Sequence, residues 1–297
     1  MTIVQLEYLL AVANFGSFSI ASEHCFVTQP SLSMQIKNLE EELGVTLLDR
    51  SKKPVIPTQA GEVVLERARR TLAAYNNIRE AVNEMKGEVS GHLSLGVIPT
   101  VAPYLLHKFL PRFMSRYPKV ELEIREMVTA DICAALNRDA IDTALVSSGT
   151  CPENIAEQEL FNDRFFAYVS PLNPLYERSS IRIEDLESRE LAVMSEGHCL
   201  RNQVLELCPG AGSGNIIRYE SGSIETLMRI VDCTGGVTVV PEMVTEFIPE
   251  ARRSQLKPLA KGALSRKISL VVRRTYVKSS VIAALKGCIL ESVTKSN

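Results

Sequence analysis

Apolar residues recur at helical spacing along the first 45 residues, and again from residue 58 to about residue 86. Leu6, Leu9, Leu10, Ala13 and Phe15 fall at three- and four-residue intervals, which predicts an amphipathic helix stopped at Gly16-Ser17. Ser19 is placed to cap a brief second helix through Ala21 to His24. After a tight Phe26-Val27 link, Thr28 is a good N-cap for a third helix. Pro30 falls in its first turn, where a missing N–H costs little. Leu32, Ile36, Leu39 and Leu43 make the stripe this helix buries, and Gly44 ends it. Facing the other way near its start are Gln29, Ser31, Ser33 and Gln35, uncharged donors and acceptors short enough to approach base edges. Two helices joined by a short turn, the second polar at its N-terminal end, describe a helix-turn-helix.

The pattern then changes to Leu47–Thr58, where Arg50, Lys52 and Lys53 precede Pro54 and a Val55-Ile56-Pro57 run. This reads as a two-stranded wing with a basic tip able to meet phosphate. From Thr58 one helix is expected to run to about Lys86, with Leu65, Ala68, Leu72, Tyr75, Val82 and Met85 near heptad spacing. A lone helix would expose that seam, so pairing with a second subunit is expected. Gly87-Glu88-Val89-Ser90-Gly91 reads as a hinge. Residues 1–60 are thus a candidate DNA reader and 58–88 a linker.

Beyond the hinge, short β-branched runs alternate with helical stretches, which argues an α/β fold. The strand candidates are 93–97, 120–125, 143–146, 165–169, 191–193, 237–240 and 268–272; the helix candidates are 104–117, 131–139 and 223–233.

A chain of 297 residues has room for two domains or more. No apolar run approaches the ~20 residues of a membrane span, and the N-terminus has no basic segment of a secretory signal. A cytoplasmic protein with reduced thiols is expected. Net charge is −2, and residues 1–60 carry four basic against six acidic side chains, so DNA affinity has to come from a local patch. Seven cysteines at irregular spacing, with no Cys-x-x-Cys, argue against a secreted disulfide framework and against zinc. No GxGxxG, P-loop, Gly-x-Ser-x-Gly or His-Glu-x-x-His occurs, so no cofactor and no enzyme signature is read.

The chemistry lies in residues 197–208, Gly-His-Cys-Leu-Arg-Asn-Gln-Val-Leu-Glu-Leu-Cys. Cys199 follows His198 and precedes Arg201 by two residues, and cationic neighbours favour the reactive thiolate. Cys208, nine positions on, is where a sulfenic acid on Cys199 would be resolved to a disulfide. Leu200, Val204 and Leu207 predict helix between the two. Nine helical residues separate Cα atoms by about 13 Å, whereas a disulfide needs them within roughly 7 Å. Pairing therefore requires the helix to unwind. On residues alone, two inert buried cysteines remain the commoner reading, and the redox one needs further context. The other five, Cys25, Cys133, Cys151, Cys233 and Cys288, read as structural.

The whole chain resembles the LysR-type transcriptional regulators. Ala21-Ser22, Thr28-Gln29-Pro30-Ser31-Leu32-Ser33, Ile36, Leu39-Glu40, Leu43-Gly44, Leu47-Leu48 and Thr58-Gln59-Ala60-Gly61 resemble that family's winged helix-turn-helix. Residues 96–106, Glu196-Gly197-His198-Cys199-Leu200-Arg201 and Cys208 resemble its peroxide-sensing members. The resemblance implies an α+β chain: a DNA-binding domain, a dimerising linker helix, and a two-lobed regulatory domain (92–297) like periplasmic binding proteins. Lobe I would hold 92–163 and 267–297, and lobe II 164–266. It implies Cys199 as peroxidatic and Cys208 as resolving thiol, with Thr100, Thr129, His198, Arg201 and Arg266 around the peroxide. It further implies an activator of oxidative-stress genes, without metal, acting as dimer or tetramer on operator DNA. RNA polymerase and a thiol reductant such as glutaredoxin or thioredoxin would be its other partners. The family often has an acid where this chain has Asn202, which predicts weaker anchoring of Arg201. A regulator that binds an organic effector, and a thiol peroxidase, are the rival readings.

Overall fold

The structure is a computed structural model that describes residues 1–85, 88–186, 191–208, 218–219, 222–260, 264–274 and 279–294. It divides into two compact units, one built on residues 1–87 with 138–140, the other on 88–137 and 141–297.

The first unit contains helices α1 (Ile3–Phe15), α2 (Phe18–His24) and α3 (Gln29–Leu43), strands β1 (Leu48–Asp49) and β2 (Ile56–Pro57), and helix α4 (Gln59–Met85). Thr2 and Gln5 close a capping box at the start of α1, and Gly16 ends it at φ 61, a left-handed conformation that favours glycine. Ser17, not Ser19, caps α2, because the Ser17 hydroxyl reaches the Ile20 N–H. Thr28 caps α3, Pro30 sits in its first turn, and Gly44 ends it. Leu9, Val12, Leu32, Ile36, Leu39 and Leu47 are fully buried together. Leu43 is 38% exposed, being the last residue of α3, beyond the side chains that close over Leu39. β1 and β2 pair antiparallel, with the basic tip between them. Leu65 and Ala68 of α4 are buried in this same core, so the first half of the expected intersubunit seam is used within the unit. Tyr75 and Ile78 farther along are 43% and 64% exposed. The side chains of Val82 and Met85, and all of Gly87, lie outside the described residues.

The second unit runs β3 (Gly91–Val97), α5 (Ala102–Arg116), β4 (Val120–Glu126), α6 (Thr129–Asn137), β5 (Thr143–Ser147) and β6 (Ile155–Val169). It continues with α7 (Ile183–Leu186), β7 (Val193–Met194), α8 (Cys199–Leu207), β8 (Arg218–Tyr219), α9 (Ile224–Thr234) and β9 (Val237–Pro241). Helix α10 (Glu242–Thr245), β10 (Leu256–Pro258), β11 (Ser265–Arg273) and α11 (Ser279–Thr294) complete it. β4, β3 and β5 are parallel; β11 joins β5 antiparallel, and β6 joins β11 antiparallel. The fifteen-residue β6 changes partners midway: Ile155–Arg164 pairs with β11, and Phe165–Val169 with β9 and, on its other edge, β10. One strand thus carries the chain from one lobe to the other, and β11 brings it back at Ser265.

The pattern reading finds only the second half of β6. Its first half, Ile-Ala-Glu-Gln-Glu-Leu-Phe-Asn-Asp-Arg, is largely polar and half exposed, so no apolar run marks it. β8, β10 and α11 are likewise additions, two of them strands of two and three residues. The core of the second lobe gathers Tyr168, Ile181, Leu191, Leu227, Val231 and Val239, and α8 is pinned onto it by Leu200, Val204 and Cys208.

Candidate functional site

Gly197 takes φ 92, a left-handed turn that sends the chain into α8 with His198 as N-cap. Cys199 is therefore the first residue of a nine-residue helix and Cys208 its C-cap, and no disulfide joins them. Both are buried, at 7% and 1% exposure. The helix N-terminus presents backbone N–H groups to anionic charge at its first residue, and no side chain caps it here. The sequence reading credits the flanking His198 and Arg201 as cations. Burial holds the His198 imidazole below its ordinary value, which favours a neutral hydrogen-bonding ring. The Arg201 guanidinium donates to the Met194 carbonyl at 3.2 Å. That backbone anchor does not depend on a carboxylate at 202, where Asn202 is exposed.

The turn after β3 supplies Thr100, and the first residue of α6 is Thr129. Thr100 is 1% exposed; its Oγ1 accepts from Arg266 Nη1 at 2.8 Å and its carbonyl from Nη2 at 3.1 Å. Arg266, inside β11 rather than before it, has a fully buried side chain. It donates to Asp163 at the point where β6 changes sheets, with Nε at 3.0 Å and Nη2 at 2.9 Å. Burial pushes the Asp163 carboxyl up, against the pull of Arg266 and of the Met243 N–H it accepts at 3.1 Å. This Thr100–Arg266–Asp163 cluster fixes the lobe junction and leaves the Thr100 hydroxyl hydrogen free to donate elsewhere. The Thr129 Oγ1 is buried without a hydrogen-bond partner among the described residues. Such a group is costly unless something else completes it.

A cavity opens beside these groups, lined by Pro99, Val128 and His198, each adjacent in sequence to Thr100, Thr129 or Cys199. Gly222 closes over the His198 ring so tightly that a Cβ there would meet Cε1 at 2.6 Å. Sequence reading missed Gln203, whose Nε2 donates to Ser147 Oγ at 2.7 Å and ties α8 to the end of β5. Its only signal is a polar residue between the apolar positions of the helix. It also missed Asp163, which looks like any charged residue in a polar stretch. Cys133 and Cys151, read as separate structural thiols, stand Sγ to Sγ at 2.9 Å.

In the first unit, Gln29 and Pro30 at the start of α3 are exposed, and Ser31 and Ser33 are half-buried. Gln35 is partly spent inside the fold, accepting from Gln5 Nε2 at 3.2 Å. Arg50 pairs with Glu40 at 2.8 Å, reaches Ser33 Oγ at 3.4 Å, and lies over the Phe18 ring. Lys52 and Lys53 are exposed at the wing tip. Met34 and Phe26, unforeseen, are 58% and 96% exposed on the same helix-turn-helix. Among the described residues no helix is long and apolar enough to cross a membrane, and no cluster could hold a metal ion.

A winged helix-turn-helix followed by a two-lobed α/β unit with a buried thiol at the lobe junction defines a class of ligand- or redox-controlled bacterial transcriptional regulators. The family models agree: residues 3–62 match the bacterial regulatory helix-turn-helix protein of the lysR family, and 86–294 the LysR substrate binding domain. The chain belongs to the LysR family of regulators. It is 34% identical over 275 residues to a hydrogen peroxide-inducible genes activator of Haemophilus influenzae, covering 92% of this chain and 91% of the relative. It is equally 34% identical to the DNA-binding transcriptional dual regulator OxyR of Escherichia coli K12, covering 92% and 90%. Full-length OxyR of Pseudomonas aeruginosa, with a cysteine-to-aspartate substitution, superimposes with a TM-score of 0.81 at 29% identity, covering 98% of each chain. A cysteine-substituted OxyR of Corynebacterium glutamicum with hydrogen peroxide bound gives 0.65 at 28% identity, covering 99% and 93%.

Proposed function

We propose that this chain is a hydrogen-peroxide-sensing activator of oxidative-stress defence genes, switched by a reversible Cys199–Cys208 disulfide. The observation that carries it is Cys199 at the open N-terminus of α8, whose neighbour His198 lines one cavity with Val128, the neighbour of the buried, unpartnered Thr129 hydroxyl. Peroxide has two oxygens that accept and donate, and the hydroxyls of Thr129 and Thr100 are free to hold them. The Cys199 thiolate attacks the near oxygen; an S–O bond forms, the O–O bond breaks, and hydroxide leaves with help from the His198 N–H. Arg266 acts through Thr100, and Arg201 through the strand end it grips. The Cys208 thiol then displaces water from the sulfenic acid, which forms the disulfide. Because α8 separates the two sulfurs, that second step unwinds it.

On this reading residues 1–60 bind double-stranded operator DNA through Gln29, Pro30, Ser31, Ser33, Gln35, Arg50, Lys52 and Lys53. Residues 58–88 pair subunits in a dimer or tetramer, and 92–297 sense the signal, with lobe I at 92–163 and 267–297 and lobe II at 164–266. RNA polymerase reads the result, and a thiol reductant such as glutaredoxin or thioredoxin resets it in the cytoplasm. An anionic organic effector is disfavoured, since Glu126, Asp131 and Glu225 line the cavity. The test is peptide mass spectrometry after stoichiometric peroxide, with transcription in parallel. A Cys199–Cys208 link with induced transcription, both lost in Cys199→Ser, is expected; full induction by Cys199→Ser overturns the proposal.

A further inference from the structure

Outside the junction, one pair of thiols is already in contact. Cys133 lies in α6 and Cys151 in the loop between β5 and β6, yet their sulfurs are 2.9 Å apart. That is about 0.9 Å longer than a covalent S–S bond. No helix stands between them, in contrast with Cys199 and Cys208. The same loop and helix are held together by Asn154 Nδ2 donating to Asn137 Oδ1 at 2.6 Å, so the approach is built into the fold. Both thiols are half-buried, and an open hollow lined by Cys151, Pro152, Asn154, Glu157 and Arg274 gives small molecules access.

We propose that Cys133 and Cys151 form a second oxidative modification site, a dithiol that hydroperoxides convert to a disulfide fastening α6 to the 148–154 loop. The first thiolate attacks the peroxide; an S–O bond forms, the O–O bond breaks, and hydroxide leaves. The second thiol attacks that sulfur; the S–S bond forms, the S–O bond breaks, and water leaves with the second proton. The two sulfurs supply the two electrons that reduce one peroxide to two waters.

The sulfur contact makes the second step fast, and burial slows attack by Cys151 in the first. Burial, with the neighbouring Cys133 thiol, pushes the Cys151 thiol up, which lowers the thiolate fraction available to attack. The Thr129 hydroxyl next to the first site sits at the head of the same α6, so the clamp stiffens a helix the peroxide pocket uses. Where Cys151 attacks first, the pair closes late, under sustained rather than stoichiometric oxidant.

The experiment uses the full-length chain carrying Cys199→Ser, which makes the outcome independent of the proposed switch. Hydrogen peroxide is added in excess, remaining thiols are alkylated, and peptides are mapped by mass spectrometry. A Cys133–Cys151 linked peptide is expected, reversed by dithiothreitol and absent when Cys151→Ala or Cys133→Ala is added. In the chain with Cys199 intact, it should form roughly tenfold or more slowly than the Cys199–Cys208 link. Amide exchange in 130–137 should slow on oxidation without new unprotected amides. Complete alkylation of both thiols after treatment overturns the proposal. So does their separate over-oxidation without a link, or pairing of either one with another cysteine.

Discussion

At the scale of single residues, the buried Arg266–Asp163 pair decides how the junction behaves. Removing one partner strands the other charge, at a cost of about 3–5 kcal/mol. Arg266→Met should lose that much stability in urea unfolding near neutral pH. The loss should shrink on acidification, because a protonated Asp163 no longer needs the guanidinium. Thr100 would lose its two anchors as well, so peroxide reactivity of Cys199 should fall with it. His198 gives the opposite dependence. Its imidazole is held below the ordinary 6.5 by burial, so the unfolded chain takes up a proton first as pH drops. Stability should decline below about pH 6.5 and level off once the folded ring also protonates. Thermal melts between about pH 5 and 7 should show a flatter profile for His198→Gln. An unchanged profile would mean that folding leaves the ring's affinity for protons as it is in the unfolded chain.

At the scale of elements, α8 holds both its own stability and that of the disulfide. Leu200, Val204 and Cys208 are all buried in the second lobe's core. Releasing a buried Leu or Val costs roughly 1.5–3 kcal/mol each, and closing the unwound loop costs about 3 kcal/mol more in chain entropy. Both terms oppose the unwound, disulfide-bonded state, which keeps the switch reducible. Leu200→Ala weakens the reduced helix by about 2–5 kcal/mol. It should move the disulfide midpoint about 40–110 mV more negative, at 30 mV per 1.4 kcal/mol. Amide exchange across 199–208 should be protected when reduced and collapse on oxidation; unchanged exchange would rule out unwinding. On the DNA side, the proposed function divides the labour between α3 and the wing. Lys52→Ala should lower affinity on every sequence and reduce the salt slope by about 0.9. Gln29→Ala should relax base preference with the slope retained. Arg50→Ala should do more than either, since Arg50 also holds Glu40 and stacks on Phe18.

At the scale of the whole molecule, recognition depends on copy number. A single unit of three short helices and a wing, with net charge −2 over residues 1–60, carries few phosphate contacts. Two such units on one duplex should read half-sites about 34–36 Å apart, one helical turn. Footprinting should show paired protections at that spacing, and a single short protected site would contradict a dimeric reader. Among the described residues of α4, Tyr75 and Ile78 are exposed apolar side chains suited to such pairing. Ile78→Glu should weaken self-association and DNA affinity together while leaving the fold of residues 1–68 intact.

Local rules alone determined the helix-turn-helix, its caps at Thr28, Gly16 and Gly44, the helix of residues 199–207 and, in whole or part, seven strands of the regulatory unit. Those features are set by spacing, capping chemistry and β-branched runs, all of which act within a few residues. The cysteine pair and its helix were likewise legible, because nine residues of α-helix have one length. Only tertiary structure decided what lies far apart in sequence. Asp163 meets Arg266 because β6 changes sheets at that residue, and nothing in a polar strand announces it. His198 loses its positive character, and Arg201 turns to Met194, because burial and a strand end outweigh adjacency to Cys199. Cys133 and Cys151 come together by a helix and a loop eighteen residues apart. Charge, burial and pairing at this protein's sites are long-range properties, fixed by which surfaces the sheet brings into contact.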